Sequence, residues 1–270
     1  MYVTLRLALL AAAAALVAAC SSNPQTPAST PAPAPSAQLP PPTTLQASPK
    51  ERARLHTEIA AAYYERGQMD IAIEELNESM KLDADNANTY NVYGLVYATM
   101  GENAKAEQNF QRALSLAPQD SEIRQNWGWY LCMHGRAQAS ITEFEQAVKN
   151  PLYRTPEIAL VNAGRCSASL GDNASAEQFF KRALSASPGN PNAAYGLALL
   201  AYRAGRYDEA RGWLRPAVLQ ANPAPAALYL GVCVERKLND KPAEASFTSQ
   251  LKNRYPDAAE TRALPTGVCE

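Results

Sequence analysis

A chain of 270 residues with 47 % hydrophobic and 8 % aromatic side chains has room for one or two globular domains or for one repeat array. Its formal charge of −1 supplies no basic surface for nucleic acid or an anionic bilayer, so nucleic acid is not an expected partner. Of its five cysteines, Cys20 stands apart, and the remaining Cys132, Cys166, Cys233 and Cys269 allow two disulfides in an oxidising compartment.

Residues 1–19 are predicted to be a signal peptide. Arg6 gives a weakly positive start, and Leu7 to Ala19 is an apolar run too short for a membrane-spanning helix. The run ends in Val17-Ala18-Ala19-Cys20, which resembles the lipobox of bacterial lipoproteins. That resemblance implies cleavage before Cys20 and a diacylglycerol on its thiol. Ser21 and Ser22 follow in place of the Asp that marks inner-membrane retention, which implies the outer membrane. Residues 20–50 then read as a lipidated cysteine and a tether. Between 21 and 49 there are nine prolines and no charge, a composition that cannot bury enough apolar surface to offset its ordering entropy. Its reach is on the order of 90 Å as polyproline II and about 30 Å as a flexible coil.

From residue 51 the pattern changes. Gly67, Gly101, Gly135, Gly171 and Gly205 recur at spacings of 34, 34, 36 and 34 residues, the period of stacked helix–turn–helix units. Small residues at positions 8 and 20 of each unit let two helices approach, large ones around them fill the gap, and a proline near position 32 starts the next unit. Units are expected at about 53–86, 87–120, 121–156, 157–190, 191–223 and 224–257. The third carries two extra residues between Pro151 and Pro156, and the sixth lacks the turn glycine. The fold class is therefore all-α: a tetratricopeptide-repeat, right-handed superhelix of about six units over 51–257, closed by a tail at 258–270. Each unit alone leaves an apolar face exposed, and stacking buries it. Ile59, Tyr93, Trp127, Ala163, Leu197 and Leu230 are read as packing residues.

No residue set supports catalysis, a cofactor, a metal or a small-molecule substrate, and an enzyme is not expected. His56 sits at a packing position and His134 beside a turn, so both read as structural. No C-x-x-C and no phosphate-binding glycine loop occur, and Glu74, Glu75 and Glu78 read as a solvated helix face. Cys132 and Cys166 fall on the first helices of adjacent units, where their sulfurs can meet as a disulfide; two free thiols are the alternative. Cys233 with Cys269 is the second candidate pair and would staple the tail to unit six. First helices line the inner face of such arrays, and positions 2, 5, 9 and 12 nominate a partner-binding groove of Tyr64, Asn88, Asn91, Leu95, Gln125, Trp129, Arg165, Tyr195 and Tyr202. Trp129 leads the set, because Trp127 already fills the core position two residues earlier and Trp is a frequent interface anchor.

The run Asn126-Trp-Gly-Trp-Tyr-Leu-Cys-Met-His-Gly-Arg136, the link Asn150-Pro-Leu-Tyr-Arg-Thr-Pro156 and Val161-Asn-Ala-Gly-Arg-Cys166 resemble the type IV pilus biogenesis and stability lipoproteins, the PilF/PilW outer-membrane family with six tetratricopeptide repeats. The ending Gln250-Leu-Lys-Asn-Arg-Tyr-Pro256 is similar to theirs as well, whereas the long proline-rich tether and Cys269 depart from the pattern. The resemblance implies a lipid-anchored protein on the periplasmic face of the outer membrane. It implies a pilotin-like role, binding the pilus secretin or other pilus proteins to guide secretin localisation and multimerisation. The alternatives are a component that stabilises pilus fibres, or a general periplasmic scaffold for envelope assembly.

Overall fold

The computed structural model describes residues 47–267 and Cys269. The expected signal peptide, Cys20 and all but the end of the tether lie outside the described residues. Those described fold into helices without a strand. Six antiparallel pairs follow one another: α1 (Pro49–Glu65) with α2 (Met69–Leu82), α3 (Ala87–Thr99) with α4 (Asn103–Leu116), α5 (Ser121–Met133) with α6 (Ala137–Lys149), α7 (Pro156–Ser169) with α8 (Asn173–Ala186), α9 (Pro191–Arg203) with α10 (Tyr207–Val218), and α11 (Pro225–Leu238) with α12 (Lys241–Arg254). A short α13 (Ala259–Ala263) and a single 3-10 turn close the chain.

Each first helix ends the same way. The residue after the turn donates its N–H back to a carbonyl five residues earlier, from Gln68 to Tyr63 through Arg206 to Ala201, at 2.9–3.0 Å. This arrangement needs one left-handed residue, and glycine takes it at φ +74° to +78° in the first five turns. The sixth turn keeps the geometry without the glycine. Asn239 occupies the left-handed position at φ +58°, and Asp240 N–H bonds to Glu235 O at 2.9 Å.

Within a pair, a glycine faces a phenylalanine. A methyl group on Gly94, Gly128, Gly164 or Gly231 would lie 2.7–2.9 Å from the ring of Phe110, Phe144, Phe180 or Phe247 respectively. The missing side chain is thus the slot into which the ring fits. The fifth unit uses Ala198 and Leu214 instead, both in one buried cluster. Its Gly196 also abuts the Phe180 ring, so glycines of two neighbouring units border that one ring.

Four local features were not legible in the repeat pattern. Helix α1 begins at Pro49, inside the expected tether, because Ser48 and Glu51 form a reciprocal capping box. Ile59, expected to pack, is 42 % exposed, since no helix among the described residues precedes α1. Where the first unit meets the second, Thr57, Ser79 and Thr89, all fully buried, hydrogen-bond one another at 2.8–3.0 Å, and Thr57 and Ser79 also donate to Ala53 O; Ser79 stands where later units put Ala113, Ala147 or Ala183. In the longer link after α6, Asn150 Oδ1 accepts from Leu152 N–H, and the turn drops Tyr153 into the core between α6 and α7.

The motif that sets the third unit apart has a mechanical reading. Trp127 stacks on Tyr130, with ring centroids 5.4 Å apart, and the Arg136 guanidinium lies over both rings. Two parallel bonds at 2.8 and 2.9 Å fix that guanidinium on Glu107 of the preceding unit. His134 stacks on Tyr130 and reaches Asn103 Oδ1 at 3.0 Å. One cluster therefore ties α4 to α5.

Candidate functional site

The first helices pack on one another in series, α1 on α3, α3 on α5, α5 on α7, α7 on α9 and α9 on α11. The second helices pack on the first helices to either side. This leaves one continuous face made of first helices alone, and the nominated groove residues are distributed along it.

At the N-terminal end Tyr64 and Leu95 are half-buried against their own clusters, and Asn88 is exposed. Asn91 is buried, at 3 % exposure. Its amide donates to Asn88 Oδ1 at 3.2 Å, and its own Oδ1 accepts from Asn126 Nδ2 at 3.1 Å. It therefore works as a rung between α3 and α5, a correction to its expected place in the open groove. Asn126 was not among the residues nominated for the groove. Gln125 is half-buried on the next helix. Trp129 is half-buried and packs against both the cluster of units two and three and that of units three to five, so it bridges two stretches of core.

Further on, Arg165 is exposed, and its Nη2 donates to Asn192 Oδ1 at 3.2 Å across α7 and α9. Tyr195 is half-buried beside it. Burial pushes the Tyr195 phenol above its usual range; Arg203 and then Arg165 pull it back down, and Glu260 pushes it up more weakly. Two depressions of about 240 and 320 Å³ adjoin this spot, and Arg165 and Tyr195 border both. Asn192 lines the smaller and Arg203 the larger. Asn192 sits at position 2 of its unit, so the rule that nominates Tyr195 reaches it as well.

Tyr202 leaves the groove set. It is only 7 % exposed, its ring packs on Tyr207 and its hydroxyl donates to Cys269 O at 3.3 Å. The cause is the C-terminal tail. The structure joins Cys233 to Cys269, with Cα atoms 5.6 Å apart, and Arg236 Nη1 donates to Gly267 O at 3.0 Å. The tail is thereby held across the ends of α9 and α11, over the position where Tyr202 was expected to be open. Cys132 and Cys166 are joined as well, at a Cα separation of 6.0 Å, linking α5 to α7.

Both histidines are hydrogen-bonded within the array, His56 to Glu75 at 2.6 Å and His134 to Tyr130 O at 2.8 Å. Glu75 is therefore half-buried and paired, not simply solvated. Among the described residues no three His, Cys, Asp or Glu side chains gather as a metal site, and no helix is long and apolar enough to cross a membrane.

Known proteins share this architecture. Tetratricopeptide-repeat profiles match residues 51–119, 126–191 and 168–230. The type IV pilus assembly protein PilF of Pseudomonas aeruginosa is 23 % identical over 205 residues, which is 76 % of this chain and 81 % of that protein. The crystal structure of PilW, described as a widely conserved type IV pilus biogenesis factor, superimposes with a TM-score of 0.71 at 29 % identity, covering 79 % of this chain and 98 % of that one. The Pseudomonas aeruginosa PilF structure has a TM-score of 0.72 at 22 % identity over 82 % of this chain and 99 % of that one, a likeness of fold.

Proposed function

Since this chain is a tetratricopeptide-repeat protein, similar over most of its length to the PilF/PilW type IV pilus assembly proteins, we propose that it is a non-enzymatic outer-membrane lipoprotein that binds pilus proteins through its first-helix face. Its partner in this reading is the type IV pilus secretin, and its task is that of a pilotin, bringing the secretin to the outer membrane and promoting its assembly into a ring. The observation that carries the reading is likeness to PilW and PilF across nearly the whole array, together with a continuous first-helix face bearing Trp129, Arg165 and Tyr195. Two disulfides suit an oxidising compartment such as the periplasm. The lipid on Cys20 and the proline-rich tether that follows it would set how far from the bilayer this face works.

The test is affinity capture from outer-membrane extract, with the native chain beside Trp129→Ala. Secretin should be retained by the native chain and reduced about tenfold by the substitution, the loss typical of a single aromatic anchor. Recovery of no pilus protein by the native chain would sink the reading. In cells, Cys20→Ala should remove secretin multimers from the outer membrane and abolish twitching. Intact multimers with few surface pili, restored when retraction is blocked, would indicate fibre stabilisation instead. Envelope defects without a pilus phenotype would indicate a general scaffold.

A further inference from the structure

The two depressions beside Tyr195 have an uneven chemistry. One runs over Ala217, Ala224 and Ala227, the other over Leu199 and Leu200, and no Asp or Glu lines either of them. Two guanidinium groups border this apolar floor. Arg165 is held by the neutral amide of Asn192, and Arg203 has no carboxylate at ion-pair distance among the described residues. Four arginines that link elements of the array are matched with a carboxylate, Arg124 with Glu143, Arg136 with Glu107, Arg211 with Glu235 and Arg236 with Glu244, whereas Arg254 bonds to Ala221 O. Arg165 and Arg203, without such a partner, border the same depression on the first-helix face. A carboxylate arriving there would meet two donors in place of water, beside a half-buried phenol that limits screening.

We propose that this stretch of α7, α9 and α11 takes an extended peptide segment carrying an Asp or Glu with apolar side chains two residues to either side. Alternate residues of an extended chain face the same way. The carboxylate then lies between Arg165 and Arg203, and the apolar side chains enter the two depressions. Asn192 positions the Arg165 guanidinium. This assignment rests on the reading of the first-helix face as a protein-binding surface and adds the chemistry of what one part of it selects.

Fluorescence anisotropy with short dye-labelled peptides of the pattern Phe-Ser-Glu-Ser-Phe, against the same peptides with Gln for Glu, tests it on the full chain in detergent micelles. The acidic peptide should bind about tenfold more tightly than its Gln counterpart, and the preference should shrink as salt is raised. It should vanish in the Arg165→Ala, Arg203→Ala double variant. Equal binding of the two peptides by the native chain, or binding of neither, overturns the proposal without recourse to any variant. So does a preference that survives the double substitution in protein whose circular-dichroism melt is unchanged. If the double variant captures pilus proteins as well as the native chain does, the carboxylate site falls while the broader groove reading stands.

Discussion

A methyl group added at Gly164 would sit 2.7 Å from the Phe180 ring, which is itself only 2 % exposed and also bordered by Gly196. With no room for the ring to retreat, Gly164→Ala should cost about 1–3 kcal/mol, the range for overpacking a well-filled core. Chemical denaturation measures it, and Phe180→Leu in the same chain should restore part of the loss. A cost near zero would mean that the glycine–phenylalanine slot is loose. Electrostatics at the same scale concentrates on Glu244. Its side chain is 15 % exposed, and the hydrogen bond from Arg236, then that from Lys241, hold its carboxyl below the usual 4.5. A carboxylate depressed in the folded state contributes stability that is present above its unfolded pKa and lost as pH falls through the folded value. The stability gap between the native chain and Glu244→Gln should therefore be constant above about pH 5 and close below it. A gap that stays constant down to pH 3 would contradict this.

At the scale of elements, the tail is held by few contacts and one covalent bond. Cys233 and Cys269 are 36 residues apart, and closing a loop of that size is worth about 3–4 kcal/mol in the chain-entropy model. Cys269→Ser should release the tail, lower the melting temperature and leave the region after Arg254 open to limited proteolysis, with Tyr202 newly reachable by solvent. An unchanged proteolytic pattern would show that Arg236 and the packing of α13 on α11 and α12 suffice. The same scale shows where repeat logic is elastic. The sixth turn keeps its geometry with Asn239 because a short polar side chain tolerates the left-handed region better than most. The third link absorbs two extra residues by burying Tyr153, so the insertion adds core and not slack.

Across the whole molecule the array is nearly one-dimensional: each unit touches its neighbours, and stability is close to a sum of units and interfaces. That is why so much of it was legible. The turn glycines, the glycine–phenylalanine slots and the prolines that open α7, α9 and α11 are local requirements of a 34-residue period, and each is written within its own unit. The residues of the binding face were legible only as positions. The period says that Asn91, Tyr195 and Tyr202 lie on first helices, but their exposure depends on what arrives from elsewhere in the chain. Asn126 from the next unit turns Asn91 into a buried rung, and the tail covers Tyr202 from a distance of 67 residues. Neither follows from the period, because a side chain's burial is set by everything packed on it, whereas a helix or a turn is set by its own few residues. By itself the sequence determined the number of units, their turns, their internal locks and the family they resemble. Tertiary structure alone decided which part of the shared face stays open and that Arg165 and Arg203 border one depression on it.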